Sequence, residues 1–218
     1  MDVRSHWEQV HATKDPEQVS WFRPHLERSL ELIERAAPDR LASILDVGAG
    51  QSTLVDDLLG LGYENITVVE ISQTALDASK KRVGQSRSKV QWICGDVTET
   101  VLPEASFDLW HDRAVFHFLT AAGRRRAYVD RVRRALKPGG SLIVSTFGPS
   151  GPERCSGLAT MRYDASSLGS EFGDRFRLVE SSLDLHETPA GAVHSFSVPG
   201  TDSANRGDEV EDALCGEG

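Results

Sequence analysis

Ile44-Leu45-Asp46-Val47-Gly48-Ala49-Gly50-Gln51-Ser52-Thr53 decides the fold: an apolar run, two glycines one residue apart, and then hydroxyl residues ahead of a helical pattern. Such a stretch reads as a buried strand entering a tight turn and then a helix. Glycine has no Cβ to obstruct the turn or the close approach of a ligand. A dinucleotide-binding fingerprint carries glycine at its sixth position, where this chain has Thr53, so the motif disfavours NAD and points to a ligand without a pyrophosphate.

Downstream, Ile66 to Ile71, Val90 to Cys94, Phe107 to Trp110 and Ser141 to Phe147 are short apolar runs that, with Ser43 to Val47, suit buried parallel strands. Helical spacing between them predicts helices over Ser52 to Leu59, Ser72 to Val83 and Thr120 to Leu136, with Ser72 and Thr120 as N-caps. The alternation predicts an α/β fold built on a doubly wound, mostly parallel sheet. A short helix from Asp164 to Phe172 and a hairpin of Phe176 to His186 with Val193 to Val198 complete it. Upstream, Val3, Trp7 and Val10, and then Leu26, Leu30, Ile33 and Ala37, recur at helical spacing on either side of a break at Asp15-Pro16. Residues 1–40 are therefore expected to cap a core spanning 41–198. Residues 199–218, poor in large apolar side chains, are expected to form a disordered acidic tail.

The bulk composition bounds the function. With 218 residues, 39% of them hydrophobic and 26% charged, the chain suits one soluble domain. No apolar run reaches the roughly 20 residues that span a bilayer, and the start has no signal-peptide core, so a cytoplasmic protein without a membrane partner is expected. Much of the net charge of -9 falls in Thr201 to Gly218, where six acids face one arginine. No basic patch for a phosphate backbone stands out, which argues against a nucleic-acid partner; Arg124, Arg125, Arg126, Arg131, Arg133 and Arg134 read as a solvated helix face. Cys94, Cys155 and Cys215 are too scattered for a disulfide framework or a zinc site, and no metal is expected.

Two acids then fall at the ends of successive strands. Glu70 follows Gly50 by twenty residues, where a carboxylate accepts hydrogen bonds from both ribose hydroxyls of a nucleoside. Asp96, in Gly95-Asp96-Val97, closes the third strand near the adenine end. The ordered set Asp46, Gly48, Gly50, Glu70 and Asp96 resembles that of the class I S-adenosylmethionine-dependent methyltransferases, and the resemblance runs from about Leu41 to Val198.

That resemblance implies a seven-stranded sheet in the order 3-2-1-4-5-7-6 with the seventh strand antiparallel. It also implies S-adenosyl-L-methionine as methyl donor and S-adenosyl-L-homocysteine as product. Asp46 and the Gly48-Ala49-Gly50 turn would face the methionine part, Glu70 with Ile71 the ribose, and Gly95, Asp96 and Val97 the adenine. Leu136-Lys137-Pro138-Gly139-Gly140 is similar to the family's turn before the fifth strand. Asp112-Arg113-Ala114 resembles a stretch of the thiopurine, tellurite and thiol methyltransferases, which implies Arg113 near the donor and an aromatic cap from Trp7, Trp21 and Phe22.

The acceptor pocket is expected along His111 to Phe118 and the loop around Cys155, with Trp21, Phe116, His117 and Cys155 against the acceptor. His111, Asp112 and His117 are the candidate bases, since proton uptake needs a group that can ionise near working pH. No Asn-Pro-Pro-Tyr motif follows the fourth strand, which disfavours amide or base-nitrogen methylation. The expected reaction is in-line methyl transfer to a sulfur, oxygen or nitrogen nucleophile of a small molecule. Protein lysine methylation and a non-catalytic donor-binding protein stand as alternatives, as do a monomer and a homodimer.

Overall fold

The computed structural model describes residues 2–19, 21–184 and 191–197. The expected disordered tail at 199–218 lies outside these residues. The chain runs α1 (Val3–Thr13), a 3-10 turn (Pro16–Gln18), α2 (Glu27–Ala36), β1 (Ser43–Val47), α3 (Leu54–Gly60), β2 (Asn65–Glu70), α4 (Gln73–Val83) and β3 (Val90–Cys94). Then follow β4 (Phe107–Arg113), a 3-10 turn (Phe116–Phe118), α5 (Ala122–Ala135), β5 (Leu136–Phe147), a ribbon of β6 (Arg154–Cys155) and β7 (Leu158–Ala159), α6 (Ala165–Phe172), β8 (Arg177–Asp184) and β9 (Gly191–Ser197).

The main sheet has seven strands in the order β3-β2-β1-β4-β5-β9-β8. β3, β2, β1, β4 and β5 are parallel, whereas β9 is antiparallel to both neighbours. With β8 and β9 as the sixth and seventh strands of this sheet, the order is the one expected. Side chains alternate across the parallel strands: Ile44, Leu109 and Ile143 pack with α2, α3 and α4, while Leu45, Trp110, Leu142 and Val144 pack with α5 and α6. Reversal of strand order beside β1 opens a crevice beyond the carboxyl ends of β1 and β4, the customary ligand site of an open α/β sheet.

Local signals explain several boundaries. Ser72 caps α4 by accepting from the Ala75 N–H, as expected. Asp164 and Ser167 form a reciprocal capping box on α6. Thr120 does not cap α5, which starts at Ala122 with no side-chain cap. The Lys137-Pro138-Gly139-Gly140 turn lies inside β5 as a bulge, because Phe107 pairs with Leu136 and Leu109 already pairs with Ser141. The arginines of α5 are also not a simply solvated face. Arg124 pairs with Asp96, Arg125 donates to the Leu119 and Thr120 carbonyls, and Arg133 donates to the Phe172 carbonyl.

One difference bears on the site. β4 runs to Arg113, three residues past the expected Trp110, so His111 and Asp112 sit on a strand and point to opposite faces.

Candidate active site

A cavity of about 390 Å³ lies over the carboxyl ends of β1, β2, β4 and β5 and beneath α1, within the range of small-molecule sites. Every residue expected around the donor borders it: Trp7, Phe22, Asp46, Gly48, Ala49, Gly50, Glu70, Ile71, Gly95, Asp96, Val97 and Arg113. Gly48 and Gly50 hold φ of +64° and +54°, the left-handed region that favours glycine. The Gly48 N–H donates to the Val69 carbonyl at 2.7 Å, which ties the turn to β2.

Glu70 is buried, and its two carboxylate oxygens accept one backbone N–H each, Gly50 at 2.8 Å and Ser72 at 2.9 Å. A carboxylate has about four acceptor positions, so each oxygen keeps one for a ligand. Burial raises its pKa above the ordinary value, against the backbone bonds from Ser72 and Gly50. Asp96 accepts from the Thr98 N–H at 2.9 Å and pairs with Arg124; burial would raise its carboxyl, but Thr98 and Arg124 outweigh that and hold it low.

Asp46 accepts from His111 Nδ1 at 2.7 Å, and His111 Nε2 meets Ser29 Oγ at 2.9 Å. Both ring nitrogens of this buried histidine are therefore engaged within the fold. It borders the cavity as expected, but with both nitrogens occupied it serves as a strut between β1, β4 and α2. Asp112, also expected as a base, faces the opposite side and does not border the cavity. Its carboxylate accepts from the Val115 N–H at 2.8 Å, the Phe116 N–H at 3.1 Å and the Tyr128 hydroxyl, and burial pushes its pKa up to about 6. Phe116, expected against the acceptor, is wholly buried among Tyr128, Tyr163 and Phe172. Alternation along β4 and the Asp112-held turn after it explain both corrections.

Trp21, His117 and Cys155 do border the cavity. Trp7 meets Phe118 edge-on at 5.2 Å and Trp21 at 6.2 Å, so α1 and the segment after it form an aromatic roof. The Arg113 guanidinium donates twice to the Trp21 carbonyl, at 3.0 and 3.1 Å, and pins that roof to β4. His11, Lys14, Arg124, Ser145 and Thr146 border the cavity too and were missed in sequence. His11 was within reach, lying one helical turn after Trp7 on the same face of α1.

α1 is latched by Glu8, whose carboxylate accepts from the Ser72 hydroxyl at 2.9 Å and the Gln73 and Thr74 N–H groups at 2.6 and 3.1 Å, the positive end of α4. Partial burial opposes ionisation, but contacts from Thr74, Gln73 and Ser72 prevail and hold the pKa at about 2. Since the folded value lies below the ordinary 4.5, the latch is complete above pH 4.5 and is lost as pH falls toward 2. After allowance for solvent screening it contributes about 1–2 kcal/mol. Glu8→Ala is expected to weaken binding of S-adenosylhomocysteine by roughly tenfold, as read by calorimetry, with β-sheet circular dichroism unchanged.

Residues 45–144 match the family model of a methyltransferase domain. Among curated proteins, a malonyl-[acyl-carrier protein] O-methyltransferase of Halalkalibacterium halodurans is 34% identical over 119 residues, covering 53% of this chain and 42% of its own. An eEF1A lysine and N-terminal methyltransferase of Bos taurus is 26% identical over 144 residues, covering 63% of this chain and 20% of its own. The chain thus spans less than half the length of these relatives. Among solved structures, the N-methyltransferase NodS of Bradyrhizobium japonicum with S-adenosyl-l-homocysteine shares the fold at TM-score 0.73 and 19% identity, over 90% of this chain and 98% of its own. The Burkholderia thailandensis 1,6-didemethyltoxoflavin-N1-methyltransferase does so at 0.73 and 21%, over 90% and 87%. Domain match, sheet order and glycine turn together liken residues 45–144 to a methyltransferase domain, on the fold that these two solved methyltransferases share.

Proposed function

We propose that the protein transfers a methyl group from S-adenosylmethionine to a small-molecule acceptor. The carrying observation is the buried Glu70 carboxylate, anchored by two backbone N–H groups beside the Gly48 to Gly50 turn and keeping acceptor positions for the two hydroxyls of a ribose. These residues fit the donor: Glu70 would hold the sugar, Asp96 and Val97 the base, and Asp46 with the glycine turn the amino-acid arm. S-adenosylmethionine, when bound, supplies a sulfonium-activated methyl group for displacement in line.

The chain's own contribution is alignment and exclusion of water. The roof of Trp7, Trp21 and Phe118 covers the crevice, and Arg113 keeps the roof in place. A small acceptor is favoured over a protein lysine because, among the described residues, the carboxylates bordering the cavity are Asp46, Glu70 and Asp96, which the donor reading already employs. Among the described residues, the cations bordering the cavity near the aromatic roof include Lys14, Arg23 and Arg113, which disfavour an approaching ammonium.

Calorimetry with S-adenosylhomocysteine tests the donor, and labelled-donor transfer to thiols, phenols, amines and a cell lysate tests the acceptor. Folded protein that takes up no S-adenosylhomocysteine refutes the reading. Label confined to lysate proteins refutes the small-molecule acceptor, and donor uptake without transfer indicates a binding protein.

A further inference from the structure

We infer that the β5 end of the cavity is a site for a small uncharged protic acceptor, a hydroxyl, thiol or ring N–H on an aromatic frame, and that His117 is the catalytic residue that takes its proton. This rests on the donor reading above and specifies the other half of the same cavity.

His117 is only 2% exposed, yet among the described residues neither ring nitrogen has a hydrogen-bond partner. Its ring lies parallel to Phe147, with centroids 4.4 Å apart and planes 7° from parallel, and Phe118 packs edge-on at 4.4 Å. The Met161 N–H donates to the His117 carbonyl at 2.8 Å and fixes the turn that carries it. A buried polar group without a partner costs about 1–3 kcal/mol. An imidazole so firmly placed and left unpaired at a cavity wall is best explained by a partner that arrives from the cavity.

Ser145 and Thr146 repeat the pattern: their hydroxyls are buried, without partners among the described residues, and on residues bordering the same cavity. The three groups are uncharged donors and acceptors, and the His117 ring lies against Phe147 and against Phe118 of the roof. Burial pushes the His117 pKa down to about 3, so at neutral pH the ring is uncharged, one nitrogen donating and the other accepting, and it takes a proton only from an acceptor made strongly acidic by its new bond to methyl. An X–H group thus has a lone pair to point at, whereas an ammonium finds no carboxylate there among the described residues.

The chemistry balances without another reactant. As the acceptor atom X bonds to the methyl carbon, the pair of the carbon–sulfur bond leaves with sulfur, the X–H pair remains on X, and the proton goes to the free nitrogen of His117. One positive charge in the closed site is exchanged for another, sulfonium for imidazolium, and the imidazolium then returns its proton to water. An acceptor that is already ionised has no use for His117.

The test compares wild type with His117→Phe, which retains a ring against Phe147. In protein saturated with S-adenosylhomocysteine, phenol and pyrazole are expected to shift the imidazole nitrogen resonances of His117, and butylammonium to leave them unmoved. His117→Phe should bind S-adenosylhomocysteine within about threefold of wild type and phenol about tenfold more weakly. Labelled methyl transfer to phenol should fall roughly 100- to 10,000-fold, and transfer to thiophenolate less than about tenfold. The inference is overturned if the variant handles phenol as wild type does, if butylammonium is preferred, or if no uncharged probe moves the His117 signals. Loss of S-adenosylhomocysteine binding by wild type instead removes the donor reading.

Discussion

Glu70→Gln is expected to abolish useful binding of S-adenosylhomocysteine while leaving a folded protein. Each of two hydrogen bonds from ribose to a charged acceptor contributes about 1.5–3 kcal/mol, so their loss lowers affinity by roughly 100- to 10,000-fold. The amide is nearly isosteric but is not a substitute. One oxygen of Glu70 accepts from Gly50 and the other from Ser72, so a glutamine must turn its NH₂ toward one of these backbone donors. The glycine turn or the start of α4 then loses its anchor along with the sugar. A second consequence follows from burial, which raises this carboxyl above its ordinary 4.5. Protonation therefore begins at a higher pH than for a free glutamate, and donor affinity should weaken on acidification from that raised value. The sign for folding is opposite: the folded state binds this proton more readily, so its contribution to stability is greatest at low pH and falls as pH rises through the folded value. Calorimetry across pH, with thermal unfolding as the control for fold, separates the two. Affinity in Glu70→Gln within about threefold of wild type would remove Glu70 from the sugar site.

Much of this site was legible because it follows chain order. The ends of successive parallel strands must meet at one edge of the sheet, so Asp46, Gly50, Glu70 and Asp96 converge once the strands are recognised. The apolar runs at Val90–Cys94 and Ser43–Val47 coincide with β3 and β1. What escaped depends on where strands stop and which way their side chains face. Three extra residues of β4 turn His111 toward Asp46 and Ser29, and Asp112 toward Tyr128, a division that no composition signal marks. Phe116 lies in the segment expected along the acceptor pocket, but the Asp112 carboxylate holds its backbone and its ring packs into the core. Arg124 was read as a surface charge, and only the packing of α5 beside the third strand's end brings it to Asp96. His117 borders the cavity from the 3-10 turn that follows β4, not from the strand itself.

Gly48→Ala should cost the fold more than the ligand. At φ +64° an alanine is strained by about 1–2 kcal/mol. The added Cβ would also stand 1.9 Å from Val115 Cγ2. Val115 has little freedom to yield, since its branched side chain is stiff and its N–H is held by Asp112 at 2.8 Å. Overpacking of this kind adds about 1–3 kcal/mol, giving roughly 2–5 kcal/mol in total and a Tm lower by roughly 5–15 °C for a domain of this size. The two parts separate in a double-mutant cycle. Val115→Ala removes the obstructing methyl, so the pair Gly48→Ala/Val115→Ala should regain the steric part while the backbone strain stays. Gly50→Ala makes the contrast. Its φ of +54° carries similar strain, but its nearest neighbour is His11 Cε1 at 3.3 Å, on α1 rather than in the core. That substitution should lift the roof and weaken S-adenosylhomocysteine binding with the smaller fall in Tm. If both alanine variants lose equal stability and Val115→Ala rescues neither, the steric role of Gly48 is wrong. The two glycines then serve only to let the chain turn. If the cycle closes as expected, the glycine pair divides its work, Gly48 admitting the Val115 turn that leads to His117 and Gly50 leaving room for the helix above.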